Sequence, residues 1–234
     1  MRNMDKANDS CQWNAMHKHS KFDVKICGLK TVEAVEAALA GGASHIGFIF
    51  FEKSPRNVSP AEAAILRKMI AHRAKTVAVT VNADFDMLDE IVEIVAPDIL
   101  QLHGNETPER AGEIKARYGL SIMKAFAIRT LDDMKAANQY TGIADTLLFD
   151  AKPPKGSELP GGNGVSFDWS LLAKFKSKTP IMLSGGLNRE NIIDAIAIAK
   201  PDGVDISSGV ETKPGVKDTG LISQFLNELN NYQK

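Results

Sequence analysis

Short apolar runs alternate with longer amphipathic segments from Phe22 to the end of the chain. Each short run has the length of a buried strand, whereas the longer segments repeat apolar residues at the spacing of one helical face. Such alternation is typical of β-α-β units, in which helices join parallel strands. Eight strands are predicted, at Val24–Ile26, His45–Phe50, Thr76–Val81, Ile99–Leu102, Ser121–Phe126, Thr146–Phe149, Ile181–Leu183 and Gly203–Ile206.

The segments between these strands contain helix-start signals. Ser59-Pro60-Ala61-Glu62 is a capping box with proline at the first helical position, and Thr107-Pro108-Glu109 opens a second helix in the same style. Thr31 precedes a first turn rich in glutamate, and Asp84 precedes an apolar stripe of helical spacing. Together these elements predict an α/β fold, a single (β/α)8 TIM barrel with eight parallel strands, over residues 22–234.

Residues 1–21 differ from the rest because they are polar and rich in Lys, His, Asn and Asp. They contain no continuous apolar stretch that could form a signal-peptide core or a membrane span. We predict a poorly ordered N-terminal extension. Cys11, His17 and His19 lie in it, but scattered ligands in such a tail are usually solvated, so no metal site is predicted.

Composition and charge narrow the classes of partner. Hydrophobic residues make up 44% and charged residues 24% of the chain, and the formal net charge is −1. This balance gives no electrostatic reason to expect nucleic acid or an anionic membrane as a partner, so any anionic ligand must be bound locally. The two cysteines are too few for a disulfide framework, and a cytoplasmic location fits best.

Functional residues of TIM barrels lie at the C-terminal ends of the strands. The predicted strand ends give Cys27-Gly28, Ser54-Pro55-Arg56, Asn82, Gln101-Leu102-His103-Gly104, Asp150, Ser184-Gly185-Gly186 and Ser207-Ser208-Gly209. A Pro/Gly-rich stretch from Ala151 to Phe167 follows the sixth strand without periodicity. Loops of this length are usually lids or binding loops.

Two glycine-rich turns predict a phosphate site. Ser184-Gly185-Gly186 and Ser207-Ser208-Gly209 follow the seventh and eighth strands, where this fold usually binds phosphate. Glycine lets backbone N–H groups approach an anion closely. The alternative is that the glycines only permit tight turns.

Cys27 and Asp150 are candidates for acid-base chemistry at the mouth. A thiolate removes protons from carbon well, but an unperturbed cysteine is only about 3% thiolate at pH 7, so its environment must help. Asp150 ends an apolar strand, and an unperturbed aspartate is neutral only about one time in a thousand at pH 7. Partial burial would raise that fraction. The alternatives are a buried small hydrophobe for Cys27 and a loop cap for Asp150.

Two further strand-end residues are candidates for substrate binding. Arg56 follows a proline in a loop, where a guanidinium can clamp a carboxylate in bidentate fashion. A solvated loop arginine is the alternative. His103 either shapes the pocket or is simply a packed, hydrogen-bonded histidine.

The strand-end motifs resemble one family. They are Lys25-Ile26-Cys27-Gly28-Leu29, Gly47-Phe48-Ile49-Phe50 leading to Ser54-Pro55-Arg56, Gln101-Leu102-His103-Gly104, Gly161-Gly162-Asn163-Gly164 with Phe167-Asp168-Trp169, Leu183-Ser184-Gly185-Gly186-Leu187 and Val204-Asp205-Ile206-Ser207-Ser208-Gly209-Val210-Glu211. In this order and spacing they resemble the signatures of phosphoribosylanthranilate isomerase, from Lys25 to about Asp218.

The resemblance implies a cofactor-free Amadori rearrangement of N-(5-phosphoribosyl)anthranilate in tryptophan biosynthesis, by an intramolecular oxidoreductase. Asp150 would be the general acid and Cys27 the general base. Arg56 would hold the anthranilate carboxylate, with His103 and Gln101 also binding substrate. The phosphate would lie on Ser184, Gly185, Gly186, Asp205, Ser207, Ser208 and Gly209. The loop from Lys152 to Val165 would close over this small sugar-phosphate substrate, and the enzyme would be a monomer or homodimer.

Two positions depart from the family pattern. Lys30 stands before Thr31 where the family usually has threonine directly, and Asn163 replaces a usual Ser or Thr. An indole-glycerol-phosphate synthase or a ribulose-phosphate epimerase is the enzymatic alternative, but the strand ends do not supply the lysine and glutamates or the aspartates and metal-binding histidines those enzymes need. A barrel retained only for binding would be expected to lack the acid or the base.

Overall fold

A computed structural model describes residues 23–153, 156–157 and 159–232 of the chain. Eight parallel strands form a closed barrel in chain order, with β8 hydrogen-bonded back to β1. The strands are β1 Asp23–Cys27, β2 His45–Phe50, β3 Lys75–Thr80, β4 Ile99–Leu102, β5 Ser121–Ile128, β6 Thr146–Ala151, β7 Ile181–Leu183 and β8 Gly203–Ile206. The predicted (β/α)8 barrel is confirmed.

Helices follow the strands around the outside of the barrel. They are α1 Val32–Ala40, α2 Pro60–Ile70, α3 Phe85–Val95, α4 Pro108–Tyr118, α5 Leu131–Lys135, α6 Ser170–Lys174, α7 Ile192–Ala199 and α8 Thr219–Tyr232. Two 3-10 helices lie at Ala136–Tyr140 and Ser208–Val210. No helix in the described ranges is long and apolar enough to cross a membrane.

The predicted helix starts are confirmed by their capping bonds. Ser59 and Glu62 form the full capping box of α2, each side chain bonding the backbone N–H of the other residue. The side chains of Thr31, Asp84 and Thr107 accept from backbone N–H groups in the first turns of α1, α3 and α4. Local capping chemistry therefore sets where each of these helices begins.

Among the strands that extend further than the sequence predicts, β1 and β6 matter for function. Cys27 pairs with Gly47 in the β1–β2 ladder, and Asp150 pairs with Ala127 in the β5–β6 ladder. Cys27 and Asp150 therefore lie within their strands rather than after them. The polar character of Asp150 suggested a strand end, but an inward-facing residue at the barrel mouth can be polar without ending the strand.

Apolar residues fill the barrel below the mouth, while a larger apolar cluster includes strand and helix residues. The smaller cluster consists of Cys27, Val77, Val79, Ile99, Met123, Ala125, Leu148 and Met182. These residues alternate along their strands with residues of the larger cluster, as expected when successive side chains point to opposite faces. The smaller cluster therefore lies inside the barrel, and the larger one lies between the strands and the helices.

A short antiparallel hairpin after β8 was not predicted from the sequence. Its strands are β9 Glu211–Lys213 and β10 Val216–Lys217. At two or three residues each, these strands are too short to produce an apolar pattern. The predicted N-terminal extension, residues 1–21, lies outside the described residues, so that prediction and the boundary at residue 22 stay predictions.

Candidate active site

The C-terminal mouth of the barrel contains a cleft of about 740 Å³. Strand ends and the loop after β6 line it. The lining includes Cys27, Arg56, His103, Asp150, Ser184, Gly185, Gly186, Asp205, Ser207 and Ser208. Two other predicted site residues, Gln101 and Gly209, are not part of the lining. The fold thus brings most of the predicted site into one cavity, from the ends of six different strands and the loops that follow them.

Cys27 lies at the end of β1 and is 5% exposed. Its sulfur needs the neighbouring position on β2 to be glycine, because a Cβ at Gly47 would lie only 3.0 Å from Cys27 Sγ. Burial raises the pKa of the Cys27 thiol, and the positive charge of Lys25 opposes this rise without cancelling it. The thiol is therefore mostly protonated at neutral pH, and its thiolate is a stronger base than that of an exposed cysteine.

Asp150 faces the same cleft from β6 and is 4% exposed. Its two carboxyl oxygens have different surroundings. Oδ1 accepts a hydrogen bond of 2.8 Å from the N–H of Ala151, whereas Oδ2 lies 3.6 Å from His103 Nε2. A Cβ at Gly185 would lie 3.0 Å from Oδ1, and one at Gly161 would collide with Oδ2. Two glycines thus make room for this carboxyl group.

Gln101 lies on β4 beneath the cleft and contacts it through His103. Gln101 Nε2 is 2.9 Å from His103 Nδ1, and Gln101 is fully buried. If the amide donates to Nδ1, the imidazole proton is on Nε2 and faces Asp150. Gln101 is therefore placed to orient His103, and the prediction that it binds substrate stays a prediction.

Arg56 is buried in a charged cluster at the edge of the cleft. Its Nε and Nη2 donate to the two carboxylate oxygens of Glu211, at 2.8 and 2.9 Å, and Nη2 also donates to Gly162 O at 3.2 Å. Lys217 Nζ donates to Glu211 Oε1 at 2.7 Å. The Arg56 side chain is only 4% exposed, so the alternative of a solvated loop arginine is wrong.

Glu211 is the acceptor shared by both cations. Its own burial acts to raise its pKa, but Arg56 and Lys217 outweigh that effect and lower it. Burial lowers the pKa of Lys217, opposed by Glu211. The bidentate carboxylate predicted for Arg56 is thus largely an internal one, and Arg56 Nη1 is left beside Gly162 at the cleft. Sequence reasoning gave Glu211 no role of its own and missed Lys217, because the contact joins positions far apart in the chain.

The two glycine turns present backbone donors to the cleft. Gly185 and Gly186 have φ of 91° and 62°, conformations that favour glycine. Among the described residues, no acceptor bonds the N–H groups of Gly185, Gly186, Ser208 or Gly209. Such donors in two adjacent turns suit an anion.

Asp205 differs from the other residues predicted to bind phosphate. Its Oδ1 accepts from Lys25 Nζ at 2.9 Å, and its Oδ2 lies 3.4 Å from Ser184 Oγ. A carboxylate repels a phosphate, and this one is bonded inside the barrel. The side chain of Asp205 thus has partners within the protein, and the prediction that Asp205 binds phosphate stays a prediction.

The two departures from the family pattern have local partners. Asn163 Nδ2 donates to Leu159 O at 3.2 Å, and Asn163 Oδ1 accepts from Ser157 Oγ at 2.9 Å. Lys30 Nζ donates to Pro55 O at 3.2 Å, directly before Arg56. Asn163 thus supports the predicted lid, of which residues 154–155 and 158 lie outside the described residues, and Lys30 supports the Arg56 loop.

A closed parallel barrel with a buried thiol, a buried carboxyl group and two turns of unbonded backbone N–H groups at its C-terminal mouth has the arrangement of a TIM-barrel enzyme. Comparison with known proteins identifies the family. A model of the N-(5'-phosphoribosyl)anthranilate (PRA) isomerase family matches residues 24–228. The N-(5'-phosphoribosyl)anthranilate isomerase of Brucella canis is 62% identical over 204 residues, which are 87% of this chain and 92% of that protein.

Solved structures agree with the sequence comparison. PRA isomerase from Thermotoga maritima has a TM-score of 0.79 and 34% identity, over 90% of this chain and 99% of that one. A PRA isomerase in complex with reduced 1-(o-carboxyphenylamino)-1-deoxyribulose 5-phosphate has a TM-score of 0.76 and 32% identity, over the same shares of the two chains. The chain belongs to the PRA isomerase family and is an isomerase of tryptophan biosynthesis. The family predicted from the strand-end motifs is confirmed.

Proposed function

We propose that this chain converts N-(5-phosphoribosyl)anthranilate to 1-(2-carboxyphenylamino)-1-deoxyribulose 5-phosphate with Asp150 as general acid and Cys27 as general base. The observation that supports this division of roles is that both side chains line one cleft that also contains the two anion-binding turns. The reaction needs no cofactor, because the hydrogen removed from C2 is replaced at C1 and no net electron transfer occurs. The enzyme is then an aldose-ketose isomerase, an intramolecular oxidoreductase.

Asp150 acts first in the proposed sequence. The carboxylic acid protonates the furanose ring oxygen, the bond from C1 to that oxygen breaks, and the anthranilate nitrogen forms a Schiff base with C1. Oδ1 is bonded to the N–H of Ala151, which leaves Oδ2, on the side of His103, to deliver the proton. A proton on His103 Nε2 would hold Oδ2 in that position between turnovers.

Cys27 acts second. Its thiolate removes the proton from C2 of the Schiff base, and the electron pair of that C–H bond moves to give an enolamine. The enolamine tautomerises to the ketone when C1 takes up a proton and the hydroxyl on C2 loses its own. The raised pKa of Cys27 makes its thiolate a strong base, at the expense of a smaller thiolate fraction.

Binding groups surround this pair. The phosphate would accept hydrogen bonds from the N–H groups of Gly185, Gly186, Ser208 and Gly209. The anthranilate carboxylate would accept a hydrogen bond from Arg56 Nη1, the guanidinium nitrogen that does not bond Glu211. The loop that includes Leu159 to Asn163 lines the cleft and would exclude water from the Schiff base.

Kinetics of purified protein test the proposal. The substrate is generated in situ and its loss of fluorescence is followed. Asp150→Asn and Cys27→Ser should each lower turnover roughly a hundredfold or more, the usual scale for positioned acid-base groups. Arg56→Ala should mainly raise KM, and added chelator should have no effect. Near wild-type turnover in both catalytic variants would contradict the assigned roles, and loss of activity with chelator would show a missed metal.

The remaining expectations stay predictions. A reducing cytoplasm suits a catalytic thiol that must not be oxidised. Sedimentation of the purified chain would distinguish between the two predicted states, a monomer and a homodimer.

A further inference from the structure

A buried ion pair lies beneath the cleft, next to Cys27. Lys25 is fully buried, and its Nζ is 2.9 Å from Asp205 Oδ1. Lys25 and Asp205 are direct partners in the β1–β8 ladder, so both side chains point to the same face. Lys25 does not line the cleft, and nothing in the isomerase mechanism above uses it.

Lys25 and Cys27 approach the same point inside the barrel. They are two residues apart on β1 and therefore face the same way. A Cβ built on Gly47 would lie 3.0 Å from Cys27 Sγ and 3.1 Å from Lys25 Cε. The missing side chain of Gly47 thus leaves a space that the sulfur and the end of the lysine share, which places the ammonium group beside the thiol.

A lysine at this position is costly unless its charge is useful. A methionine of similar length would fill the same space without desolvating a charge, and such replacements of buried ion pairs are often neutral or stabilising. Burial alone would lower the pKa of Lys25, but the carboxylate of Asp205 and, when Cys27 is ionised, its thiolate raise that pKa above its ordinary value. The ammonium group therefore remains charged beneath the sulfur.

The geometry points to Lys25 as a positioning residue for the isomerase reaction: its ammonium group stabilises negative charge on Cys27 Sγ whenever the sulfur is a thiolate, and Asp205 holds and moderates that ammonium. This inference rests on the proposed function only in taking Cys27 as the base. The ammonium does not touch substrate. It acts through the sulfur, which gives up its proton before it can take one from C2.

Other charged groups lie near the same sulfur, and some of them also shift the pKa of Cys27. The negative charge of Asp205 raises the pKa of Cys27, and Lys217 on β10 lowers it more weakly than Lys25 does. Asp150, His103 and Arg56 face Cys27 across the cleft. Lys25 exerts the largest of the effects that favour the thiolate.

The signs of these effects give a sharp test. The rate of alkylation of Cys27 by iodoacetamide, measured against pH in a Cys11→Ser background, reports the thiolate without any need for activity. Lys25→Met should lower the rate at pH 7 to 8 roughly tenfold or more and move the profile to higher pH.

A merely structural pair would behave differently. Lys25→Met would then loosen the packing without moving the alkylation profile along the pH axis, and an unmoved profile would overturn the inference. Lys124→Met is the matched control, because Lys124 forms another buried pair, with Glu106 at 3.0 Å. On β5 it lies between Met123 and Ala125 of the interior cluster, so its side chain points away from the barrel interior and from Cys27. Its pH profile should match that of the parent.

Two further measurements protect the test. If Lys25→Met does not fold, the double variant Lys25→Met/Asp205→Asn removes both charges. Its profile should still move to higher pH, because the effect of Lys25 on Cys27 exceeds that of Asp205; an unmoved profile would overturn the inference. In folded variants, Lys25→Met should lower kcat with little change in KM, since Lys25 does not contact substrate.

Failure of this inference and failure of the proposed function are distinguishable. If Lys25 has no effect on the thiol while Cys27→Ser is inactive, Cys27 remains the base and Lys25 is only structural. If Cys27→Ser keeps its activity, the role of Cys27 is wrong, whatever the alkylation profiles show.

Discussion

Glu211 is the position at which a single neutral substitution should have its largest effect on stability. It accepts four hydrogen bonds, two from Arg56 and one each from Lys217 and the N–H of Gly215. The side chains of Glu211, Arg56 and Lys217 are 3%, 4% and 3% exposed. Glu211→Gln would keep the shape but leave two cations buried together without a carboxylate.

The expected loss is large because the charges are out of water. Removing one partner of a buried pair typically costs about 3 to 5 kcal/mol. Lys217 can relieve part of this cost by losing its proton. Burial lowers the pKa of Lys217, and Glu211 is the main group that raises it, so the pKa falls further when Glu211 is neutralised. In the variant, the unfolded chain then holds a proton on Lys217 more tightly than the folded chain does. The free energy of unfolding of the variant should therefore rise with pH towards the ordinary lysine pKa.

Urea unfolding followed by circular dichroism at pH 7 and pH 9 measures both effects. Asp132→Asn is the control, because its ion pair with Lys135 has side chains that are 82% and 76% exposed and is worth little. Glu211→Gln should lose several kcal/mol at pH 7 and less at pH 9, relative to the parent at the same pH. Equal, small losses in the two variants would refute the reasoning.

Three other substitutions should have distinct outcomes. His45 is buried at the start of β2, and burial lowers its pKa from 6.5 to about 4. As pH falls, the unfolded chain therefore binds a proton on His45 before the folded chain does, and the free energy of unfolding should fall by about 3 kcal/mol between pH 6.5 and pH 4. His45→Gln should flatten this pH dependence in urea titrations. Gly185→Ala should abolish phosphate binding and activity, because the φ of Gly185 is 91° and a Cβ there would lie 2.5 Å from the N of Ala151. The control is Gly112→Ala in α4, where a Cβ meets nothing within 4 Å, and this variant should keep phosphate binding and be slightly more stable than the parent. Equal inhibition constants for inorganic phosphate in the parent and Gly185→Ala would contradict the role of Gly185. Ser59→Ala should lower the melting temperature through a loss of about 1 kcal/mol, because it removes the cap of α2, and an unchanged melting temperature would show that Glu62 alone suffices.

The barrel could be predicted from the sequence because each of its parts has a local signal. Proline and capping residues mark the starts of α2 and α4. Each of the eight barrel strands contains a predicted apolar run, even where the predicted end of the strand differs from the observed one. The strand ends are less predictable. Asp150 interrupts the apolar pattern of β6 yet continues its ladder, since hydrogen bonding by the backbone does not depend on the polarity of the side chain.

The site was predictable only as far as its residues lie at strand ends. Cys27, Asp150 and the two glycine turns follow from position and residue type. The partners of Arg56 do not, because Glu211 lies 155 positions further along the chain and reaches Arg56 through a hairpin with no apolar pattern. The same limit applies to the bond between Lys25 and Asp205, which are 180 positions apart and meet only because β8 closes the barrel against β1.

The division of labour between Asp150 and Cys27 can be tested with substrate that has deuterium at C2, in single-turnover reactions of the two variants. If Cys27 removes the C2 proton, Cys27→Ser should show a full primary isotope effect, because that step becomes limiting. If Asp150 opens the ring beforehand, Asp150→Asn should show an isotope effect near unity. The reverse pattern, with the isotope effect in Asp150→Asn and none in Cys27→Ser, would contradict the assigned roles.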